Sequence, residues 1–343
     1  MTRWSSSAVA MAERGGPGSA WPRHLLDVAE LPFDDLERIL RRAEILRQGP
    51  GAADDLSAAL RGRRIALLFA EPSTRTRLSF EIAARNLSAE VLLLDPHSSS
   101  LAKGESLTDT SRTLAALGAH MLVLRHHRSG APWVAARYFG GSVINAGDGW
   151  HAHPTQALLD LMTLRRAFGS PDLRGRKIAI VGDLRHSRVA RSNAWSLTAA
   201  GAEVWACGPG ELLRGFDRLT AELPAGRRLT LTADLTAALA GADAVMGLRI
   251  QFERMDQRTL SRSDYITRYQ INEKRMRSAS PEAFYLHPGP VNEGIEVTRE
   301  VARGTRSLIV EQVRNGVPLR MAVLATLAAG LDQETREGAR LRR

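Results

Sequence analysis

From His24 onward, apolar positions alternate between two kinds of spacing. Short continuous runs such as RIALLFA (64–70), EVLLLD (90–95), AHMLVLR (119–125) and SVINAG (142–147) predict buried strands. The stretches between them carry helical spacing: TRLSFEIAARNL, SLTDTSRTLAALG and, from Pro154, HPTQALLDLMTLRRAF. HLLDVAELPFDDLERILRRAEIL reads as helices, with Leu36, Ile39 and Leu40 on one apolar face. The rhythm then repeats in KIAIVGD (177–183), AEVWACG (202–208), DAVMGLR (243–249) and AFYLHPG (283–289), with helical stretches between them. Strands that are apolar throughout and alternate with helices predict parallel sheets covered on both faces. The pattern therefore predicts an α/β chain of two doubly wound parallel-sheet domains. Its boundaries are a flexible tail at 1–22, a first domain at 23–152, a second at 153–306, a last long helical stretch at 307–330, and a basic tail at 331–343. The first 22 residues are rich in Ser, Gly and Ala and have neither a helical face nor the apolar core of a secretory signal; Met11 is a second candidate start.

Composition narrows the function classes. The chain has 343 residues, 44% hydrophobic and 24% charged. No apolar run is long enough to span a bilayer, so no membrane role is expected. Cys207 is the single cysteine, which excludes an internal disulfide and fits a reducing cytoplasm. The net charge of +10 favours anionic partners. Nucleic acid is not expected, because there is no basic run of five residues and aromatics make up only 5%. A small anionic substrate accounts for the charge.

The chemistry lies where strands give way to helices, which is where ligands bind in parallel sheets. EPSTRTRLSFE (71–81) places Ser73, Thr74, Arg75 and Thr76 at such a point. Helix-terminal N–H groups, hydroxyls and a guanidinium fork make a phosphate cradle without glycines. Later strand ends carry Arg125, then His153 and Gln156 three apart at a helix start, then Arg188, then Arg249 with Gln251 two residues on, and finally the rigid HPGP turn (287–290). His151 and His153 form H-x-H, but no third ligand lies nearby, so no metal is expected. KIAIVGD lacks the G-x-G-x-x-G of a dinucleotide site, and no cofactor is expected.

These motifs together resemble the aspartate carbamoyltransferase catalytic chain, within the aspartate/ornithine carbamoyltransferase superfamily. The resemblance rests on STRTR with SFE, KGESLTDT (103–110), HPTQALLDL (153–161), GDLRHSRVARSN (182–193), GLRIQ (247–251) and HPGPVNEGIEV (287–297), in that order. It implies that Ser73, Thr74, Arg75, Thr76, Arg125, His153 and Gln156 hold carbamoyl phosphate, with Gly289 and Pro290 lining it by carbonyls. It implies that Arg188 and Arg249 clamp the carboxylates of L-aspartate, supported by Gln251. Lys103, with Ser100 beside it, would reach the active site of a neighbouring subunit in a homotrimer. Arg75, Thr76, Lys103, Arg125 and His153 would carry the transfer, with the C-terminal helix (307–330) returning to complete the first domain and the domains closing over the two substrates. Two arginines suit a dicarboxylate. The ornithine-specific relatives need acidic and amide groups and a cysteine in the loop after the last strand, which HPGP lacks. The alternatives are a different carbamoyltransferase specificity or an inactive scaffold. Glu293 stands where many relatives have arginine, and Trp150 and His151 occupy a usually smaller, more polar loop. The N-terminal tail would suit docking to a dihydroorotase or a regulatory chain.

Overall fold

The structure, a computed structural model, describes residues 22–49, 54–95, 100–252 and 260–340. It contains two parallel sheets. The expected N-terminal tail thus lies almost wholly outside the described residues, as do 341–343.

The first sheet has the order β2-β1-β3-β4, with β1 at Arg64–Phe69, β2 at Glu90–Leu94, β3 at Ala119–His126 and β4 at Ser142–Asp148. Every residue of β1 after Arg64 is buried, as its unbroken apolar run requires of a central parallel strand. Helices α1 (Phe33–Arg47), α2 (Thr74–Asn86), α3 (Leu107–Ala116) and α4 (Ala131–Phe139) belong to this half. The segment before α1 is not helical, contrary to its expected reading. Leu25 instead pairs in parallel with Ile144, its N–H donating to Val143 O at 2.9 Å and its carbonyl accepting from Asn145 N at 2.8 Å. The open edge of β4 needs partners for its backbone groups, and this demand overrides the local helical pattern. Helix α4 was not anticipated. Gly130 precedes it with φ 81 and Gly140 follows it with φ 80, conformations that glycine adopts without a Cβ penalty.

The second sheet has the order β7-β6-β5-β8-β9, with β5 at Lys177–Val181, β6 at Glu203–Cys207, β7 at Arg228–Thr232, β8 at Ala244–Gly247 and β9 at Phe284–Leu286. The strand RLTLT of β7 went unread because an edge strand needs no continuous apolar run. Strands β5, β8 and β9 stop two to three residues short of their apolar sequences. Gly182 lies at φ +139, and a Cβ there would sit 2.7 Å from Leu248 O, so only glycine lets the chain leave β5 this close to the segment after β8. The residues released from the ladder are those with polar chemistry.

Helix α5 (Pro154–Phe168) is buried from Pro154 to Leu164 and packs against α6 (Arg188–Ala199). The closing helix α7 runs from Ile309 to Arg340 and contains Pro318. Described residues up to Asp148 and from Gly316 onward form one compact unit, and Gly149–Asn315 form the other. The C-terminal part of α7 thus returns to the first unit, as expected. There Arg42 Nη1 donates to Thr326 Oγ1 at 3.1 Å, and the Arg320 guanidinium lies 5.1 Å from the centre of the Phe80 ring. No helix among the described residues is long and apolar enough to cross a membrane.

Candidate active site

In the first unit, the strand order reverses direction between β1 and β3, whose carboxyl ends are adjacent: Phe69 pairs with Arg125, and Ala70 N–H donates to Arg125 O at 2.9 Å. Such a switch point opens a crevice for ligands. Ser73 takes the N-cap position of α2, with extended φ −163, yet its hydroxyl caps nothing. Ser106, Ser187 and Ser261, at the starts of other helices, each accept a backbone N–H three residues on. The side chains of Ser73, Thr74, Arg75 and Thr76 have no hydrogen-bond or ion-pair partner among the described residues. Thr76 is buried, while Arg75 is exposed. The first turn of α2 has no acidic residue and two arginines, at 75 and 77. Free N–H groups, three unspent hydroxyls and an unpaired guanidinium converge there, an arrangement that attracts a polyanion.

Arg125 approaches the same strand ends and is held. Its Nη2 donates to Glu71 Oε1 at 2.8 Å and its Nη1 to Ala146 O at 3.4 Å. Glu71 leaves one edge of the Arg125 fork committed and the guanidinium aimed. Next to it, burial foremost, and then the charges of His127 and Arg128, lower the pKa of His126 below the usual histidine range. Lys103 ends a short turn, Ser100–Lys103, that follows the edge strand β2, and its ammonium is exposed with no partner among the described residues. The structure thus groups Ser73 to Thr76 with Arg125, while Lys103 lies on the turn that follows the edge strand β2 in the chain.

In the second unit, His153 takes the N-cap position of α5 and is buried, with its backbone N–H donating to Ser192 Oγ at 2.9 Å. Gln156 Nε2 donates to Asp160 Oδ1 at 2.8 Å. Asp160 is wholly buried and also accepts from Gln312 Nε2 at 2.7 Å and Asn193 Nδ2 at 2.8 Å. Gln312 Oε1 in turn accepts the His287 N–H at 2.9 Å. One carboxylate therefore ties α5, α6, α7 and the turn of Gly289 and Pro290 together. Asp160→Ala removes the shared acceptor of three buried amides. It is expected to lower unfolding stability by roughly 3 kcal/mol, the scale for breaking a buried charged network. Chemical denaturation of the purified variant measures this.

Arg188 follows β5 and Arg249 follows β8, two neighbouring strands paired through Val181 and Gly247. Arg188 is 9% exposed, with Nη1 donating to Gly149 O at 3.2 Å. Gln251 Nε2 donates to His186 O at 3.1 Å. Gly289, at φ 68, is half-buried in the turn after β9, and Pro290 is exposed. His287 Nδ1 accepts the Gly289 N–H at 2.9 Å, so its Nε2 carries the proton toward Glu296 Oε1 at 3.5 Å. Glu293 bonds Arg303 at 2.8 Å, so its carboxylate is neutralised locally. Among the described residues no group of three His, Cys, Asp or Glu could hold a metal ion. Burial, with the charge of Asp234, pushes the Cys207 thiol up to about 12, out of the range of a thiolate nucleophile.

Residues 23–166 match the family described as aspartate/ornithine carbamoyltransferase, carbamoyl-P binding domain, and residues 174–327 match its Asp/Orn binding domain. The chain belongs to the aspartate/ornithine carbamoyltransferase family. This carbamoyltransferase is 48% identical over 307 residues to the aspartate carbamoyltransferase catalytic subunit of Roseiflexus sp. (strain RS-1), covering 89% of this chain and 95% of that one. It is 48% identical over 336 residues to the subunit of the same name from Synechococcus sp. (strain RCC307), covering 91% and 95%. Among solved structures it resembles the aspartate transcarbamoylase of Trypanosoma cruzi in complex with aspartate and phosphate. That match has a TM-score of 0.76 and 30% identity, over 89% of this chain and 94% of that one. It resembles the ornithine carbamoyltransferase of Thermus thermophilus almost equally, with a TM-score of 0.75 and 29% identity over 89% and 99%. The fold is thus common to both specificities, and the side chains at the strand ends must separate them.

The supporting residues of this carbamoyltransferase were not singled out in the sequence: Glu71, Asp160, Gln312, Asp183 and His186. Glu71 and Asp160 stand inside quoted motifs, but their roles come from partners far along the chain. Gln312 carries no local signal.

Proposed function

We propose that this chain transfers the carbamoyl group of carbamoyl phosphate to the amino group of L-aspartate, giving N-carbamoyl-L-aspartate and phosphate, a step toward UMP. The observation that carries the reading is the uncapped, acid-free start of α2, with hydroxyls and the Arg75 guanidinium that have no partners among the described residues. Ser73, Thr74, Arg75 and Thr76 hold the phosphoryl oxygens, and Gln156, with the carbonyls of Gly289 and Pro290, holds the carbamoyl nitrogen. Arg188 and Arg249 each take a carboxylate of aspartate.

Charge then dictates the reaction. The neutral amine attacks the carbamoyl carbon, and its lone pair becomes the new C–N bond. Negative charge moves onto the carbonyl oxygen, where Thr76, Arg125 and His153 donate to it, and each such fixed donor is worth about 3 kcal/mol in a transition state. The C–O bond to phosphate then breaks, and the departing phosphate takes the amine proton. No protein nucleophile enters. The rest of the rate comes from holding two anions in register. Purified protein given both substrates should release phosphate in proportion to carbamoyl aspartate. Phosphate release independent of aspartate would contradict the reading.

The same reading includes a homotrimer in a reducing cytoplasm. Its support is the exposed Lys103, together with exposed Leu78 and Ile82 one turn apart on α2 and Leu93 on the edge strand β2. Mixing Arg75→Ala and Lys103→Ala chains, each nearly inactive alone, should restore activity when subunits reassort. No recovery in mixed trimers would show that Lys103 acts within its own subunit.

A further inference from the structure

The turn after β5 carries a second set of contacts. Asp183 is fully buried, and both its carboxylate oxygens lie on His186 Nδ1, at 2.9 and 3.0 Å. Oδ1 also accepts the His186 N–H at 3.2 Å, and Oδ2 accepts the Gln251 N–H at 3.4 Å. A carboxylate only accepts, so Nδ1 of His186 carries a proton. This buried imidazole also meets Trp150, with ring centres 4.7 Å apart at 77°, an edge-to-face contact that aromatic quadrupoles favour. His186 is pinned between a carboxylate and an indole, and the turn that bears it is fixed with it.

The consequence falls on Gln251. Its Nε2 is committed to the carbonyl of His186. That bond uses one of the two Nε2 hydrogens and fixes the plane of the amide, so the direction of the acceptor Oε1, which has no partner among the described residues, is set with it. Gln251 stands two residues after Arg249, and His186 two before Arg188. Arg188 itself donates to the carbonyl of Gly149, the residue before Trp150. Two arginines suffice for a dicarboxylate. An acceptor fixed beside them recognises an N–H as well.

We propose that Trp150 and His186 are positioning residues that set the Gln251 amide so that Oε1 accepts from the amino group of the substrate. The site thereby selects an amino dicarboxylate over a plain dicarboxylate. This rests on the reading of Arg188 and Arg249 as the aspartate clamp. It also gives Trp150, unusual in its loop, a function: its indole supplies the edge contact that a small polar residue lacks.

The test uses the full-length enzyme at saturating carbamoyl phosphate, with Trp150→Ala, Trp150→Phe and His186→Asn. For each, kcat and KM for L-aspartate are measured, along with inhibition by succinate, which has both carboxylates and no amine. Trp150→Ala and His186→Asn should raise KM for L-aspartate about tenfold, the worth of one aligned hydrogen bond. Succinate inhibition should change less than about twofold, because charged pairs with the arginines remain. Trp150→Phe should stay near wild type, because its ring keeps the edge contact. An unchanged KM in both disruptive variants, even with a lower unfolding midpoint, would reduce the pair to a structural role and overturn the proposal. Parallel weakening of aspartate and succinate would also overturn it, since the pair would then serve only Arg188. If the wild-type enzyme binds succinate but does not carbamoylate aspartate, the clamp stands and the amine contact falls. If it does neither, the aspartate reading itself is wrong.

Discussion

Replacing Arg75 by alanine is expected to lower carbamoyl transfer about a thousandfold, the upper range for loss of one preorganised donor to a developing charge. The folded chain should be no less stable. Both halves of this expectation come from the same observation. Arg75 sits in the first turn of α2, where the helix dipole is positive, with Arg77 nearby and no acid in that turn. Cations at this end of a helix oppose the dipole by some 0.3–1 kcal/mol each, so Arg75 works against the helix unless an anion is bound. Arg75 also has no partner among the described residues that its removal would strand. A residue that costs the apo fold and satisfies nothing in it is placed there for a ligand. Steady-state rates and denaturation midpoints of the variant, read together, check both parts. A loss of activity matched by a loss of stability would place Arg75 in the fold.

The second large effect is expected on the other substrate. Arg188→Ala or Arg249→Ala should raise KM for L-aspartate at least a hundredfold, because a charge-assisted, two-pronged pair with a carboxylate is worth about 3 kcal/mol. KM for carbamoyl phosphate should stay within about threefold, since the phosphate is held elsewhere. Lysine is a poor replacement, as a point charge cannot reproduce the fork. Arg188 is 9% exposed and anchored by Gly149 O, so its removal also leaves a buried carbonyl without a donor. Arg188→Ala should therefore lose stability as well as affinity. Initial rates across an aspartate series, at fixed saturating carbamoyl phosphate, separate the two.

The parts of the site that could be read from the chain are those encoded contiguously. Ser73 to Thr76 lie between an apolar strand and a helix, so the crowd of polar donors is visible without coordinates. Arg249 likewise follows an apolar run directly, and Arg188 opens the helix after one. The supports were hidden because their meaning is a pairing across the chain. Glu71 and Arg125 are 54 residues apart, and Gln312 meets Asp160 across 152. Nothing local distinguishes Gln312 from any helical glutamine. His186 read as part of a motif, and only the positions of Asp183 and Trp150 give its ring a task. In the fold, every strand with a continuous apolar run was legible. The failures lie at sheet edges, where pairing demand outweighs local spacing. The segment around Leu25 reads as helix but lends its backbone to β4, and β7 is too polar to stand out. Strand ends were overread by two or three residues. There the ladder stops before the sequence motif does, and the released residues include Gly182, Asp183, which holds His186, and Arg249.

The most direct test of the account is acceptor choice. Purified protein, carbamoyl phosphate and either L-aspartate or L-ornithine are assayed side by side for carbamoylated product. The two-arginine reading predicts product with L-aspartate and none above background with L-ornithine, whose side-chain ammonium would meet two guanidinium groups. Product with L-ornithine would contradict that reading and leave only the phosphate cradle standing.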